Sequence, residues 1–185
     1  MNTQFMSSYS EVIVAEKPTP SYVQRYKDLL PIELLSIWQE FGWGIYMDGF
    51  LRLVNPAELS DFIKENVEIV TPSIPFAVTA FGDVLLWLTD GYVECINFRK
   101  GYREIVESGM DLFLNDTLTD FDYTMKELRA KQYIEAKEKL GVPAYDQCYG
   151  YVPLLALGGP EQVKNIQLVD LQTHLELMAQ VVGPL

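Results

Sequence analysis

Few residues in this chain could do chemistry. His174 is the single histidine. A Cys–His or Ser–His–Asp mechanism needs an imidazole beside the nucleophile it deprotonates. His174 instead falls within an amphipathic stretch, next to its apolar stripe, and no Gly-x-Ser-x-Gly elbow occurs. It reads as a packed helix histidine. Cys95 and Cys148 are too few for a disulfide framework and read as free, buried thiols that behave as small hydrophobes. Zinc requires clustered Cys and His, so no metal is expected. Gly158–Gly159–Pro160 lacks a following Lys–Ser/Thr, and no G-x-G-x-x-G is present, so no phosphate cradle and no cofactor is expected. The densest basic spot, Arg99, Lys100 and Arg103, lies in a hairpin turn, which argues against nucleic-acid binding.

The acids Asp116, Asp120 and Asp122 sit close together. Their spacing lacks the glycine and terminal glutamate of a calcium loop. Two readings stay open. They could be a solvated helix start, favoured by the helix dipole, or an acidic patch that faces a partner. A carboxylate-based enzyme acting on a small molecule is a further alternative, since paired carboxylates can run hydrolysis. Among the aromatics, Trp38, Trp43 and Trp87 fit core patterns. Tyr145, Tyr149 and Tyr151, with Tyr46 and Tyr102, are better suited to a surface, because tyrosine is frequent in binding hot spots. Packing with a satisfied hydroxyl is the competing reading. The working contact set is Asp116, Asp120, Asp122, Tyr145 and Tyr149.

The 185 residues carry a formal net charge of −12. Such a surface repels nucleic acid and anionic membrane and suits a basic protein partner. With 49% hydrophobic residues the chain can bury a sizeable core. Apolar stretches such as Val84–Leu88 are too short to cross a bilayer, and Met1–Ser10 does not resemble a signal peptide. A cytoplasmic location is expected, and a monomer is favoured.

The elements that must position these residues follow from period and punctuation. Residues 1–17 read as a frayed arm or a short edge strand around Val12–Val14. Ser21–Leu30 reads as a helix, and a second follows Pro31. Asp48–Gly49 turns a hairpin. Asn55–Pro56 opens a helix whose Glu58 can complete a capping box. Phe76–Phe81, Val84–Thr89, Tyr92–Phe98 and Tyr102–Val106 are β-branched and aromatic, with turn residues between them, and predict an antiparallel meander. A short helix is expected around Met110–Leu114, and a long one over Phe121–Leu140. An extended stretch follows at 146–153, then a strand at Val163–Ile166 and a closing amphipathic helix at Asp170–Val181. The fold class is therefore α+β, a central antiparallel sheet flanked by helices.

The order of motifs carries a resemblance. Leu30–Pro31, Phe41–Gly42–Trp43–Gly44 and Leu53–Val54–Asn55–Pro56, then Thr79–Ala80–Phe81–Gly82–Asp83 and Trp87, resemble the GAD-like family. Tyr149–Gly150–Tyr151–Val152–Pro153, Ala156–Leu157–Gly158–Gly159–Pro160, Val169–Asp170 and His174–Leu175 resemble the C-terminal module of type VI secretion DNase-immunity proteins. The opening is also similar to that of the wider SUKH superfamily. The resemblance implies a SUKH-like sheet domain over 18–108 with a C-terminal module over 109–185 packed on it. It also implies a role in binding a toxin domain, a basic nuclease, without catalysis. An adaptor or regulator with a cellular partner is the alternative on the same fold. No contact residues transfer from the family.

Overall fold

The computed structural model describes residues 4–9 and 11–185. Seven strands run in chain order across one antiparallel sheet: β1 (Ile13–Glu16), β2 (Trp43–Tyr46), β3 (Leu51–Leu53), β4 (Ser73–Thr79), β5 (Val84–Leu88), β6 (Tyr92–Asn97) and β7 (Tyr102–Ser108). The expected meander thus forms the right half of a longer one. A separate antiparallel pair joins β8 (Gln147–Tyr151) to β9 (Ile166–Asp170). The helices are α1 (Gln4–Ser8), α2 (Pro20–Arg25), α3 (Ile32–Glu40), α4 (Pro56–Asn66), α5 (Met110–Leu112, continuing as a wider π turn to Thr117), α6 (Phe121–Glu127), α7 (Tyr133–Leu140) and α8 (Leu171–Val182).

Side-chain alternation along the strands splits the interior in two. Leu51, Leu53, Leu85, Val93 and Cys95 face the larger core, with Trp38 and Trp43 and with Phe113, Leu118 and Tyr133 from the later helices. Val78, Val84, Leu86, Ile96 and Phe98 face a smaller core, closed by Leu59 and Ile63 of α4 and by Leu175, Met178 and Ala179 of α8. Helices therefore cover both faces, which is why β5 reads as a continuous apolar run. The closing helix lies beside α4, on the face opposite the other late helices.

Local signals explain most boundaries. Thr19 caps α2 and Asn55 caps α4, each followed by a proline at the first turn. At the β2–β3 turn Gly49 has φ +105°, and a Cβ there would strike Val142 and the Tyr133 hydroxyl. The glycine serves both the turn and the close approach of the chain after α7.

Three expectations need correction. Glu58 does not close a capping box, because its carboxylate accepts from the Tyr145 hydroxyl at 3.4 Å instead. The helix expected over 121–140 breaks at Arg129, which has φ 52°. The break leaves the Leu128 and Arg129 carbonyls without helical partners, and both accept from the buried Arg99 guanidinium, at 3.2 and 3.4 Å. The strand expected over 163–166 is a 3-10 turn over Val163–Asn165, and the strand begins at Ile166. Val163 and Ile166 are both buried, and their spacing of three is that of the 3-10 turn, not of a strand.

Candidate functional site

A groove of about 230 Å3 lies between α4, α8 and the loop before β8. The Asn55 cap and Pro56 start α4 so that Leu59 turns into the smaller core while Glu58 and Phe62, one turn apart, line the groove. Asp170 caps α8, accepting from the Thr173 amide at 2.8 Å. That start places Leu171 and Leu175 at the groove floor and Gln172 and Glu176 along its wall, with Gln172 Nε2 donating to Glu176 at 3.1 Å. The loop supplies Tyr145 and Asp146.

That loop is fixed from beneath by Arg52. This residue sits mid-strand in β3, on the face opposite Leu51 and Leu53, and is 1% exposed. Its Nη1 donates to the carbonyls of Ala144 at 3.2 Å, Tyr145 at 3.1 Å and Gln147, and Nη2 donates to Thr79 at 3.0 Å. Burial pulls the guanidinium below its ordinary pKa, and among the described residues its bonded partners are carbonyl dipoles. Leu171 donates its amide to the Asp146 carbonyl at 2.8 Å, which joins the loop to α8.

The groove is acidic. Glu58, Asp146, Asp170 and Glu176 line it, without any lysine, arginine or histidine. Partial burial raises the Glu58 carboxyl above its ordinary value; the Tyr145 hydroxyl opposes this and the more distant Glu16 adds to it. Burial, then Glu58, raises the Tyr145 hydroxyl, so it stays a proton donor. Hydrogen bonds from Thr173 hold Asp170 below the usual carboxylate range. An apolar floor beneath carboxylates suits a Lys or Arg side chain, whose methylene stem needs burial and whose head needs charge. Among the described residues, no three of His, Cys, Asp and Glu lie close enough together to hold a metal ion.

The expected contact residues divide. Tyr145 lies in the groove. Asp116, Asp120 and Asp122 are exposed around the start of α6, where Asp120 accepts from the Tyr123 amide at 2.9 Å. Helix α6 packs on the larger core and Tyr145 on the smaller one, so the structure does not bring the acids and this tyrosine together. Tyr149 is withdrawn from the surface. Its ring is fully buried between Phe81 and Tyr133, and its hydroxyl donates to the Gly141 carbonyl. A contact role for it does not survive, because a partner cannot reach the ring. His174 and both cysteines are buried, and the cysteines are unpaired.

Glu58, Asp146, Asp170 and Glu176 are not legible as a set in the sequence, because three separate segments supply them. The same holds for a cationic surface. Lys100, Lys126, Arg129 and Lys131 line one shallow depression, brought together by the β6–β7 turn and the α6–α7 break. Three of the four are paired with carboxylates, Lys100 with Glu161, Lys126 with Glu127 and Arg129 with Glu104.

Comparison with known proteins adds three findings. The family described as "GAD-like domain" matches residues 1–99. That described as "T6SS immunity protein Tdi1, C-terminal" matches residues 107–182. The crystal structure of Atu4351 from Agrobacterium tumefaciens superposes with a TM-score of 0.80 at 20% identity, covering 97% of this chain and 89% of that one, a likeness of fold. No curated protein matches the chain in sequence. The groove draws its walls from both matched segments, Glu58, Leu59 and Phe62 from the first and the rest from the second.

Proposed function

The chain belongs to the GAD-like family, and from that footing we propose that it is an immunity protein, one that binds and neutralises a cognate toxin of a type VI secretion system. The observation that carries this reading is the match of residues 107–182 to an immunity-protein segment, in a chain whose fold runs through both matched parts. Neutralisation here is stoichiometric binding in the cytoplasm rather than turnover.

The finer reading is that the toxin is a basic nuclease, a DNase. A net charge of −12 supports it, since an acidic surface speeds encounter with a basic partner and stands in for a phosphate track. The groove between α4 and α8 concentrates that charge over an apolar floor, the arrangement that receives cationic side chains. No helix among the described residues is long and apolar enough to cross a membrane, which fits a partner met in solution.

The test is co-expression of the full chain with the toxin encoded beside it. Restored growth together with a co-purifying equimolar complex supports the reading. Growth arrest despite abundant folded chain, with no complex, rejects it. If the complex forms, the association rate should fall as salt rises, because charge steers the encounter.

A further inference from the structure

We propose that one enclosed water accepts hydrogen bonds from Tyr151 and Arg99, donates one to His174 Nε2, and so fastens α8 to β8 and to the β6–β7 turn. The site lies apart from the acidic groove and does not depend on the toxin-binding reading.

A cavity of about 10 Å3 lies where α8, β8 and the β6–β7 turn meet. His174, Tyr151 and Arg99 supply its polar walls, one from each of these elements. Met178 and the 3-10 turn at Leu155–Leu157 supply apolar ones. A space of this size holds about one water and nothing larger. Purely apolar cavities stay dry, because a buried water needs about two to four polar partners. This cavity offers three.

His174 and Tyr151 are 5% and 2% exposed, and neither His174 Nε2 nor the Tyr151 hydroxyl is hydrogen-bonded to another group among the described residues. Buried polar atoms are seldom left so. Both rings are held in place. The Cε1 and Nδ1 atoms of His174 lie against Gly150, so close that a Cβ there would meet them at 2.9 and 3.2 Å. The Tyr151 ring stacks on Phe81, with centroids 6.1 Å apart and planes 11° from parallel. A small molecule that comes to the two atoms can satisfy them where a rotation of either ring cannot.

Counting hydrogens sets the direction of each bond. A guanidinium has five N–H donors. Arg99 uses four of them, from Nε, Nη2 and Nη1, on Asp83, Leu128 and Arg129, which leaves one Nη1 hydrogen. Burial, then the Arg99 charge, pulls His174 down to about 4, so its imidazole is neutral and one ring nitrogen accepts. Burial raises the Tyr151 hydroxyl and Arg99 opposes this, and the hydroxyl keeps its proton and donates. The water then takes the Tyr151 and Arg99 hydrogens on its two lone pairs and gives one of its own to Nε2. A protonated Nε2 would set three donors against two lone pairs.

Three measurements on the full chain test the site. A crystal structure should place an ordered water about 2.7–3.2 Å from both His174 Nε2 and the Tyr151 hydroxyl. 15N NMR near neutral pH should show Nε2 of His174 as the unprotonated nitrogen. Tyr151→Phe removes one donor to the water and keeps the ring on Phe81. The unfolding equilibrium constant should rise about fivefold in that variant. Its His174 Nε2 resonance should also shift, which a tyrosine that only packs would not cause. No density between the two rings, a direct Tyr151–His174 bond, a protonated Nε2, or a resonance indifferent to Tyr151→Phe overturns the site. The first two measurements use the wild-type chain, so they decide the matter even if the variant fails to fold.

Discussion

Arg52 donates from Nη1 to the carbonyl oxygen of Tyr145 at 3.1 Å across 93 positions of sequence. The bond runs from a strand within the GAD-like segment to a loop inside the second matched segment. The acidic groove therefore depends on a cation hidden beneath it. A guanidinium can serve four carbonyls because its donors form a rigid planar fork, which an ammonium lacks.

Arg52→Met should accordingly lower stability by about 3 kcal/mol, since carbonyls that lose a charged donor inside the protein are left unpaired. Arg52→Lys should recover part of that loss. Urea denaturation measures both. A loss below the precision of the method would mean that the loop is held by its other contacts.

The Asp83–Arg99 pair makes a second prediction. Both side chains are essentially inaccessible, and Arg99 donates to Asp83 from Nε at 2.9 Å and from Nη2 at 2.6 Å. Burial pushes the Asp83 carboxyl up, and Arg99 works against that. Removing one partner strands the other charge in the interior. Asp83→Ala should cost about 3–5 kcal/mol, and Asp83→Leu combined with Arg99→Met should cost less than that single change. Equal losses from the single and double variants would show that the carbonyl bonds to Leu128 and Arg129 matter more than the ion pair.

His174 should make folding sensitive to pH. Burial, then the nearby Arg99 charge, pulls its pKa down from 6.5 to about 4. Between those values the unfolded chain binds a proton that the folded chain does not. The contribution is thus complete above about pH 6.5 and is lost as pH falls toward 4, a change of about 3 kcal/mol. His174→Gln should flatten the stability difference between the two proteins across that window. A difference independent of pH would place the imidazole in contact with bulk water.

Tyr149 and Tyr145 should behave oppositely. Tyr149→Phe removes one hydroxyl bond to the Gly141 carbonyl and should cost about 1 kcal/mol of stability with toxin affinity unchanged. Tyr145→Ala should weaken toxin binding with a smaller effect on folding. Parallel melting and calorimetry of both variants separate the roles.

Much of the fold was legible because its signals are local. The Asn55–Pro56 start, the β-branched runs from Phe76 onward and the heptad-like spacing of α8 each announce their element without help from distant residues. The break at Arg129 was not legible. Glu127–Lys131 and Glu135–Lys139 pairing favoured one long helix, and only Arg99, approaching from the β6–β7 turn, makes an interruption worthwhile. The site was harder still. Tyr145 was picked out by residue type, but Tyr149 shares that type and lies in the core. Tyr145 precedes β8 and Tyr149 lies within it, and the two are told apart only once β8 is known to pair with β9 and to press Tyr149 toward Phe81. Arg52 left one trace, a lone base inside the apolar run Phe50–Val54.

The most direct test of the central claim is to titrate the purified toxin's activity with this chain. Stoichiometric neutralisation predicts a linear fall that ends at equimolar chain, with activity returning only as fast as the complex dissociates. Inhibition that deepens with time at catalytic amounts of chain, or none at molar excess, would contradict it.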